Sequence, residues 1–373
     1  MAILPHVESA ARMLDVPGRL LDARPYGTGH INDTYLTTWD DGGEVIRVIL
    51  QRLNTEVFRR PDEVTENILR ITTHMRRRLE EEGERDLDRR VVRLVPNRDG
   101  RHGWRDERDN YWRAMHYVSG TVSHYTLTDP ALIEEGAGVI AEFHRLLIDL
   151  PPPRLHETII DFHHTPRRFE AFAGAVEKDP RNRAAHCRAE IEFLMSLREE
   201  AGLLYRLAGE GRLHERATHN DTKLDNVLFD HQTGRGICLI DLDTVMPGFV
   251  LNDFGDMVRS MTCLAAEDET DLGEVEMELP LFEALLRGYL TAAGSVLTPD
   301  ERRLLPFSGK LITLEQAVRF LGDHLLGDVY YKIHRDGHNL DRARNQIKLV
   351  QSIIRQEERM EQLLERLLDE IPA

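Results

Sequence analysis

Short runs of β-branched, aromatic and aliphatic residues dominate the first third of the chain. Residues 20–26, 34–39 and 44–51 are such runs, separated by a glycine-bearing stretch over 27–33 and by Asp40-Asp41-Gly42-Gly43. That pattern predicts an antiparallel meander. The period then changes. Val64, Ile68, Ile71 and Met75 recur three or four apart, and Pro61 suits a first helical position, so residues 61–82 predict a helix. Residues 91–95 and 111–118 predict two further strands, and Ser119-Gly120 ends the second. Beyond this point the spacing is largely helical, over 132–147, 183–207, 299–324 and 339–368, with Thr298 as an N-cap before Pro299. In the last helix Val350, Ile353, Met360, Leu364 and Leu367 predict packing on its own lobe rather than a dimeric coiled coil. The expected fold class is α+β in two lobes. Residues 1–117 form an N-terminal sheet lobe and residues 118–373 a larger, mainly helical lobe.

One stretch interrupts the helical half. Residues 226–230 and 237–241 are short apolar runs joined by the glycine-containing 231–236, a hairpin pattern. An antiparallel pair sets Asn226 at the start of one strand beside Asp241 at the end of the other. Both offer hard oxygen ligands, which suit magnesium and not zinc. His219-x-Asp221 lies on the loop entering the hairpin, so Asp221 faces the same pocket without being a ligand. A carboxylate to take a hydroxyl proton and an amide and a second carboxylate for magnesium are what ATP-dependent phosphoryl transfer to a hydroxyl requires. Gly27-x-Gly29 is either a plain turn or a lid whose amides face nucleotide phosphates. Residues 116–118, with His116 and Val118, are either an ordinary strand exit or a segment offering backbone groups to an adenine edge.

The net charge of −17, from 65 acidic and 48 basic residues, makes nucleic acid and anionic membrane poor partners. Arg76-Arg77-Arg78 stands beside Glu80-Glu81-Glu82 and reads as a solvated helix face. Cys187, Cys238 and Cys263 form no CxxC, which fits a reducing cytoplasm. Residues 1–17 lack the basic-then-apolar pattern of a signal peptide, and no run is long enough for a transmembrane helix. The acidic run from Glu267 is either solvated surface or an attractor for a cationic substrate. His214 and His219 are spaced one residue too far for a zinc-protease helix, and His163-His164 reads as surface.

These motifs resemble the aminoglycoside phosphotransferase and choline kinase superfamily, in order along nearly the whole chain. Gly29-His30-Ile31-Asn32-Asp33, Thr218-His219-Asn220-Asp221-Thr222-Lys223, Ile240-Asp241-Leu242-Asp243, Asn252-Asp253-Phe254-Gly255-Asp256 and Arg319 through Tyr330 further resemble the N-acetylhexosamine 1-kinases. The resemblance implies a two-lobed protein-kinase-like fold and a cytoplasmic kinase, monomeric or homodimeric, that uses ATP and Mg2+ on a sugar. It implies Asp221 as catalytic base and Asn226 with Asp241 as magnesium ligands. Arg319 and Tyr330 would face the sugar, and His30 the sugar or the phosphates. His219 and Asp243 would support the loop or the metal. Gly27, Gly29, His116 and Val118 would border the nucleotide. The strand over 44–51 should end in a phosphate-binding lysine but offers Gln51 and Arg52, with Arg47 earlier. Arg47 and Gln51 share a face, and Glu66 or Glu63 would be the partner carboxylate on the next helix. The rival readings are an aminoglycoside or amino-alcohol phosphotransferase and a nucleotide-binding pseudokinase.

Overall fold

A computed structural model describes residues 3–27, 31–124 and 129–371. Helix α1 (Pro5–Arg12) precedes β1 (Arg19–Pro25), β2 (Asp33–Asp41) and β3 (Glu44–Leu53). Gly42 and Gly43, both at positive φ, make the tight β2–β3 turn. Helix α2 (Pro61–Glu81) follows, then the short α3 (Leu87–Arg90), β4 (Leu94–Val95), β5 (Gly103–Arg105) and β6 (Tyr111–His116). The antiparallel sheet runs β1-β2-β3-β6-β4, with β5 also on β6. Its register sets Thr34 opposite Gln51 and Gln51 opposite Arg113, so these three share one face.

The chain leaves this sheet after His116. Strand β7 (Thr121–Val122) already belongs to a second sheet. Helices α4 (Pro130–Leu146), α5 (Thr165–Lys178), α6 (Arg188–Ser196) and α7 (Leu203–Gly209) lead to β8 (Arg216–Thr218). Then come β9 (Val227–Asp230), β10 (Gly236–Leu239), β11 (Met246–Gly248), α8 (Val250–Met261), α9 (Leu279–Ala293), α10 (Pro299–Arg303), α11 (Leu305–Leu326) and α12 (His338–Glu370). The small sheets are β10-β9-β7 and β11-β8. The antiparallel N-terminal sheet and the helical remainder are the kinase-like α+β fold expected from the sequence.

Three apolar clusters hold the molecule. One runs from Ile68 and Ile71 of α2 through Phe143 of α4 and Phe229 of β9 to Phe254 of α8. A second joins Phe172, Phe320 and Val350 of α5, α11 and α12. A third lies where Val7, Ala10 and Ala11 of α1 cover Trp39, Trp104 and Trp112 of the sheet. Among the described residues, no helix is long and apolar enough to cross a membrane. All three cysteines are buried and unpaired.

Several elements differ from the pattern-based expectation. The helix over 183–207 breaks into α6, α7 and two 3-10 turns, with Gly202 standing at the N-cap of α7. Residues 299–324 split at Leu304, where Pro306 in the first turn of α11 restarts the helix. Only Leu94–Val95 of the strand over 91–95 pairs with β6. Thr298 caps α10 as expected, in a capping box with Glu301.

Helices α4 and α9 pack so closely that a methyl group at Gly288 would stand 2.1 Å from the Glu134 carbonyl oxygen. Gly288→Ala should therefore cost about 1–3 kcal/mol, as overpacking does. Gly174 in α5 has no atom within 4 Å of its added methyl, and Gly174→Ala should stabilise by about 0.5–1 kcal/mol. Urea unfolding of the two variants should move the midpoint in opposite directions.

Candidate active site

Strand β8 delivers the chain to His219, where one buried carboxylate takes over. Asp253, on α8, accepts the His219 and Asn220 amides at 2.7 Å each and His144 Nε2 at 2.7 Å. Burial pushes its carboxyl up, but the hydrogen bonds from His144 and from the His219 amide outweigh it and hold the group below the usual carboxylate range. Asn220 thereby sits at φ 65°, a left-handed conformation that asparagine tolerates. One turn further along α8, Asp256 accepts the Thr222 amide at 2.9 Å. His219 donates from Nε2 to the Ile240 carbonyl at 3.0 Å and accepts the Asp221 amide on Nδ1 at 3.3 Å, which assigns the neutral Nε2–H tautomer. With its backbone satisfied from behind, the loop presents Asp221 forward.

The β9–β10 hairpin sets the oxygen pair. The Ile240 amide donates to the Asn226 carbonyl at 2.9 Å, and Asp241 follows at φ 59°. Asn226 Nδ2 donates to the Asp221 carbonyl and carboxylate at 2.8 and 3.0 Å, and Oδ1 takes no hydrogen bond among the described residues. Burial, then Asp243 and Asp221, push the Asp241 carboxyl up to about 7. Solvent still reaches Asp241 through the cleft, which softens the burial effect and leaves carboxylate crowding as the firmer cause. Lys223 Nζ, 3.3 Å from Asp221, is held above its ordinary range because Asp221, Asp225 and Asp241 outweigh its burial.

A cavity of about 670 Å³ lies between the large sheet and this loop. Of the residues expected from the sequence, Gly27, Gln51, His116, Val118, Asp221, Asn226, Asp241 and Asp243 line it. His116 is neutral there, pushed down to about 4 by burial and then by Arg93. His219 is wholly buried behind the loop. Arg47 is not brought to the wall: it is exposed, with its guanidinium 5.9 Å from the Tyr117 ring centre. Glu66 is likewise outside, 3.0 Å from His156, and Glu63 pairs with Arg60, so neither meets β3. The α2 side chain on the cavity wall is Ile68, while Asn67 donates to the Val245 carbonyl at 3.0 Å. Gly29 and His30 lie outside the described residues.

Arg319 and Tyr330 come together beside this cavity rather than in it. Arg319 lies 5.3 Å from the Phe162 ring centre and 5.6 Å from that of Tyr331, and against burial its charge is held by Tyr331, then Glu315 and Tyr330. Helix α11 runs through Gly322 and stops at Gly327, at φ 104°, so Tyr330 sits on the following loop. Its amide donates to Asp323 Oδ1 at 2.8 Å. One turn before Arg319, Glu315 bonds His163 Nδ1 at 2.8 Å, and His163 Nε2 donates to the Asn220 carbonyl at 3.2 Å. His163 is thus a buried link between α11 and the Asp221 loop, not the surface residue expected; its partner is 152 positions away. Arg113, Lys223, Asp253, His163 and Glu315 were given no site role by the sequence reading. Only Lys223 and Asp253 lay within the motifs that carried the resemblance.

The model of the phosphotransferase enzyme family (APH) matches residues 22–307. The chain belongs to that family, whose members transfer phosphoryl groups from ATP, with magnesium, to the alcohol of a small molecule. Solved structures with a similar fold include a microcompartment-associated aminopropanol kinase, at 20% identity over 95% of this chain and 98% of that one with a TM-score of 0.60. An aminoglycoside phosphotransferase from Alicyclobacillus acidocaldarius matches at 14% identity over 100% and 97%, with a TM-score of 0.58. A choline/ethanolamine kinase family protein from Mesorhizobium loti matches at 14% over 97% and 100%, with a TM-score of 0.53.

The donor set fits magnesium. Among the described residues no three His, Cys, Asp or Glu side chains gather into a metal cage. Magnesium needs none, since it is held by one or two protein oxygens and keeps waters or phosphate oxygens for the rest.

The His163–Glu315 pair should leave a pH signature. Burial opposes charge on both, but each partner's charge prevails, raising His163 above 6.5 and lowering Glu315 below 4.5. The His163 contribution is complete below 6.5 and fades as pH rises through its raised value. The Glu315 contribution is present above 4.5 and fades as pH falls through its lowered value. Unfolding free energy should therefore show a plateau between these limits that flattens in Glu315→Gln. Identical pH profiles for the two proteins would show that the link carries no charge.

Proposed function

We propose that this phosphotransferase acts on a sugar hydroxyl, the anomeric hydroxyl of an N-acetylhexosamine such as GlcNAc or GalNAc. Asp221 accepts the hydroxyl proton on its carboxylate, and Asn226 and Asp241 would hold magnesium. That ion would bridge and neutralise the transferring phosphates. Lys223 offsets negative charge beside Asp221. The Asp253-anchored loop fixes acceptor and donor in line, and such positioning is most of what a loose phosphoryl transition state requires.

The observation that carries the acceptor assignment is the charge of the wall around Arg319. Arg168 stands near enough to Arg319 to be lowered by it, after burial, and Phe162 and Tyr331 flank the guanidinium. Two cations and aromatic faces suit a neutral polyhydroxy ring with an amide substituent. They disfavour a cationic amine. The acidic run is also engaged internally: Glu267 meets Arg259 at 2.8 Å and Asp268 meets His338 at 2.9 Å. The likeness in fold to an aminopropanol kinase and to a choline/ethanolamine kinase family protein keeps an amino-alcohol acceptor as the second reading. The same proposal puts the lobe division at 117/118, between the end of β6 and β7, and the setting in the cytoplasm, which unpaired buried cysteines support.

Asp221→Asn should lower kcat by about 10²–10⁴, the usual worth of a positioned base, and leave ATP binding intact. Loss of ATP binding in the folded variant would remove Asp221 from that role. Arg319→Ala should raise the sugar KM by about 10–100-fold, the worth of hydrogen bonds to a charged group, with the ATP KM nearly unchanged. Phosphorus NMR of products from a panel of N-acetylhexosamines, hexoses, aminoglycosides and amino alcohols tests the acceptor. The expected product is an anomeric phosphate. A phosphorylated amine-bearing acceptor alone would establish the second reading.

A further inference from the structure

β3 brings Ile49 and Gln51 to the cavity wall and neither of its arginines, while Arg113 lines the wall from the neighbouring strand. We infer that Arg113, on β6, supplies the positive charge that meets the phosphates of the bound nucleotide, and that Gln51 is its positioning residue. This inference rests on the nucleotide site proposed above.

Gln51 and Arg113 are cross-strand partners, so both side chains leave the same face of the sheet. Both line the cavity. Arg113 donates from Nε and Nη2 to Gln51 Oε1 at 3.1 and 2.7 Å. Gln51 Nε2 is itself fixed on Thr34 Oγ1 at 3.1 Å. A lysine at position 51 would set two cations against each other, whereas the glutamine oxygen accepts from the guanidinium and orients it. The same Nη2 also donates to Asp243, and Asn32 Nδ2 donates to the second Asp243 oxygen at 2.6 Å. Nη1 is left over. Arg113 is 1% exposed, yet its Nη1 is a buried donor with no hydrogen-bond partner. Native structures rarely leave such a donor unmatched without a purpose. It belongs to a planar fork that suits phosphate oxygens, on the cavity wall that also carries Asp241 and Asp243. Arg47 and Arg52 do not compete for the role: Arg47 lies by Tyr117, and Arg52 pairs with Asp33 on the opposite face of β3.

The test is calorimetric binding of ADP with magnesium, ADP with EDTA, and adenosine to the full chain and its variants. Wild type must first bind ADP; if it does not, the nucleotide reading itself fails, which is a different result from failure of the Arg113 assignment. Given that binding, Arg113→Met should weaken ADP by about 10–100-fold, with and without magnesium, and leave adenosine unchanged. Arg113→Lys, which keeps the charge and loses the fork held by Gln51, should bind ADP more tightly than Arg113→Met and less tightly than wild type. The double variant Gln51→Lys with Arg113→Met, which moves the cation to β3, should recover ADP affinity. Unaltered ADP binding in Arg113→Met would overturn the inference, as would equal losses for ADP and adenosine. Where Arg113→Met fails to fold, the double variant decides: ADP affinity near wild type supports the assignment, and weak ADP binding with adenosine retained defeats it.

Discussion

A buried charge, the carboxylate of Asp253, organises the catalytic half of this protein. An unpaired carboxylate in such a place would be costly. Here it receives two loop amides and the His144 imidazole, while Tyr289 holds the far side of that ring at 2.8 Å. The arrangement forces Asn220 into its left-handed turn and settles where Asp221 can point. Helix α8, buried from Val250 to Val258, makes the anchor rigid. Asp256 and the Asp253 carbonyl hold Thr222 from the same helix. Preorganisation of the loop is therefore a property of the core, present before any ligand binds.

The cleft works by opposite charge in close quarters. Asp221, Asp225, Asp241 and Asp243 crowd one side, and Lys223 and Arg113 answer them only in part. That imbalance helps to raise Asp241 and suits the magnesium proposed for this site. The acceptor side has the reverse character. Arg319 stands over the Phe162 and Tyr331 rings there with Arg168 bonded to the Phe162 carbonyl, and the nearby acidic run is spent on Arg259 and His338. An anionic floor for metal next to a cationic, aromatic wall is the contrast on which the sugar-kinase reading rests.

Much of this was legible in the sequence because it is local. The gap from Asp221 to Asn226, the hairpin and the strand-end Asp241 lie within about two dozen residues, and short-range spacing is what a sequence displays. The alternation in β2 and β3 and the capped start of α10 were legible for the same reason. What escaped notice is held together across the fold. Arg113 answers Gln51 from 62 residues away, and His163 finds Glu315 across 152. Glu66 looked suitable by position on α2, but with no lysine on β3 to pair with, it turns to His156 at the surface. The break between α10 and α11 and the end of α11 at Gly327 hinge on single residues inside long apolar patterns, which periodicity smooths over.

The central claim is that the Asp253 charge places Asp221. Asp253→Asn keeps the shape and removes the charge, so single-turnover kinetics of the folded variant, read beside its ADP affinity, test it most directly. The account predicts a fall in the transfer rate of about 10²-fold, the scale of a catalytic group misplaced by about an ångström, with ADP binding retained. A transfer rate equal to that of the wild type would contradict it.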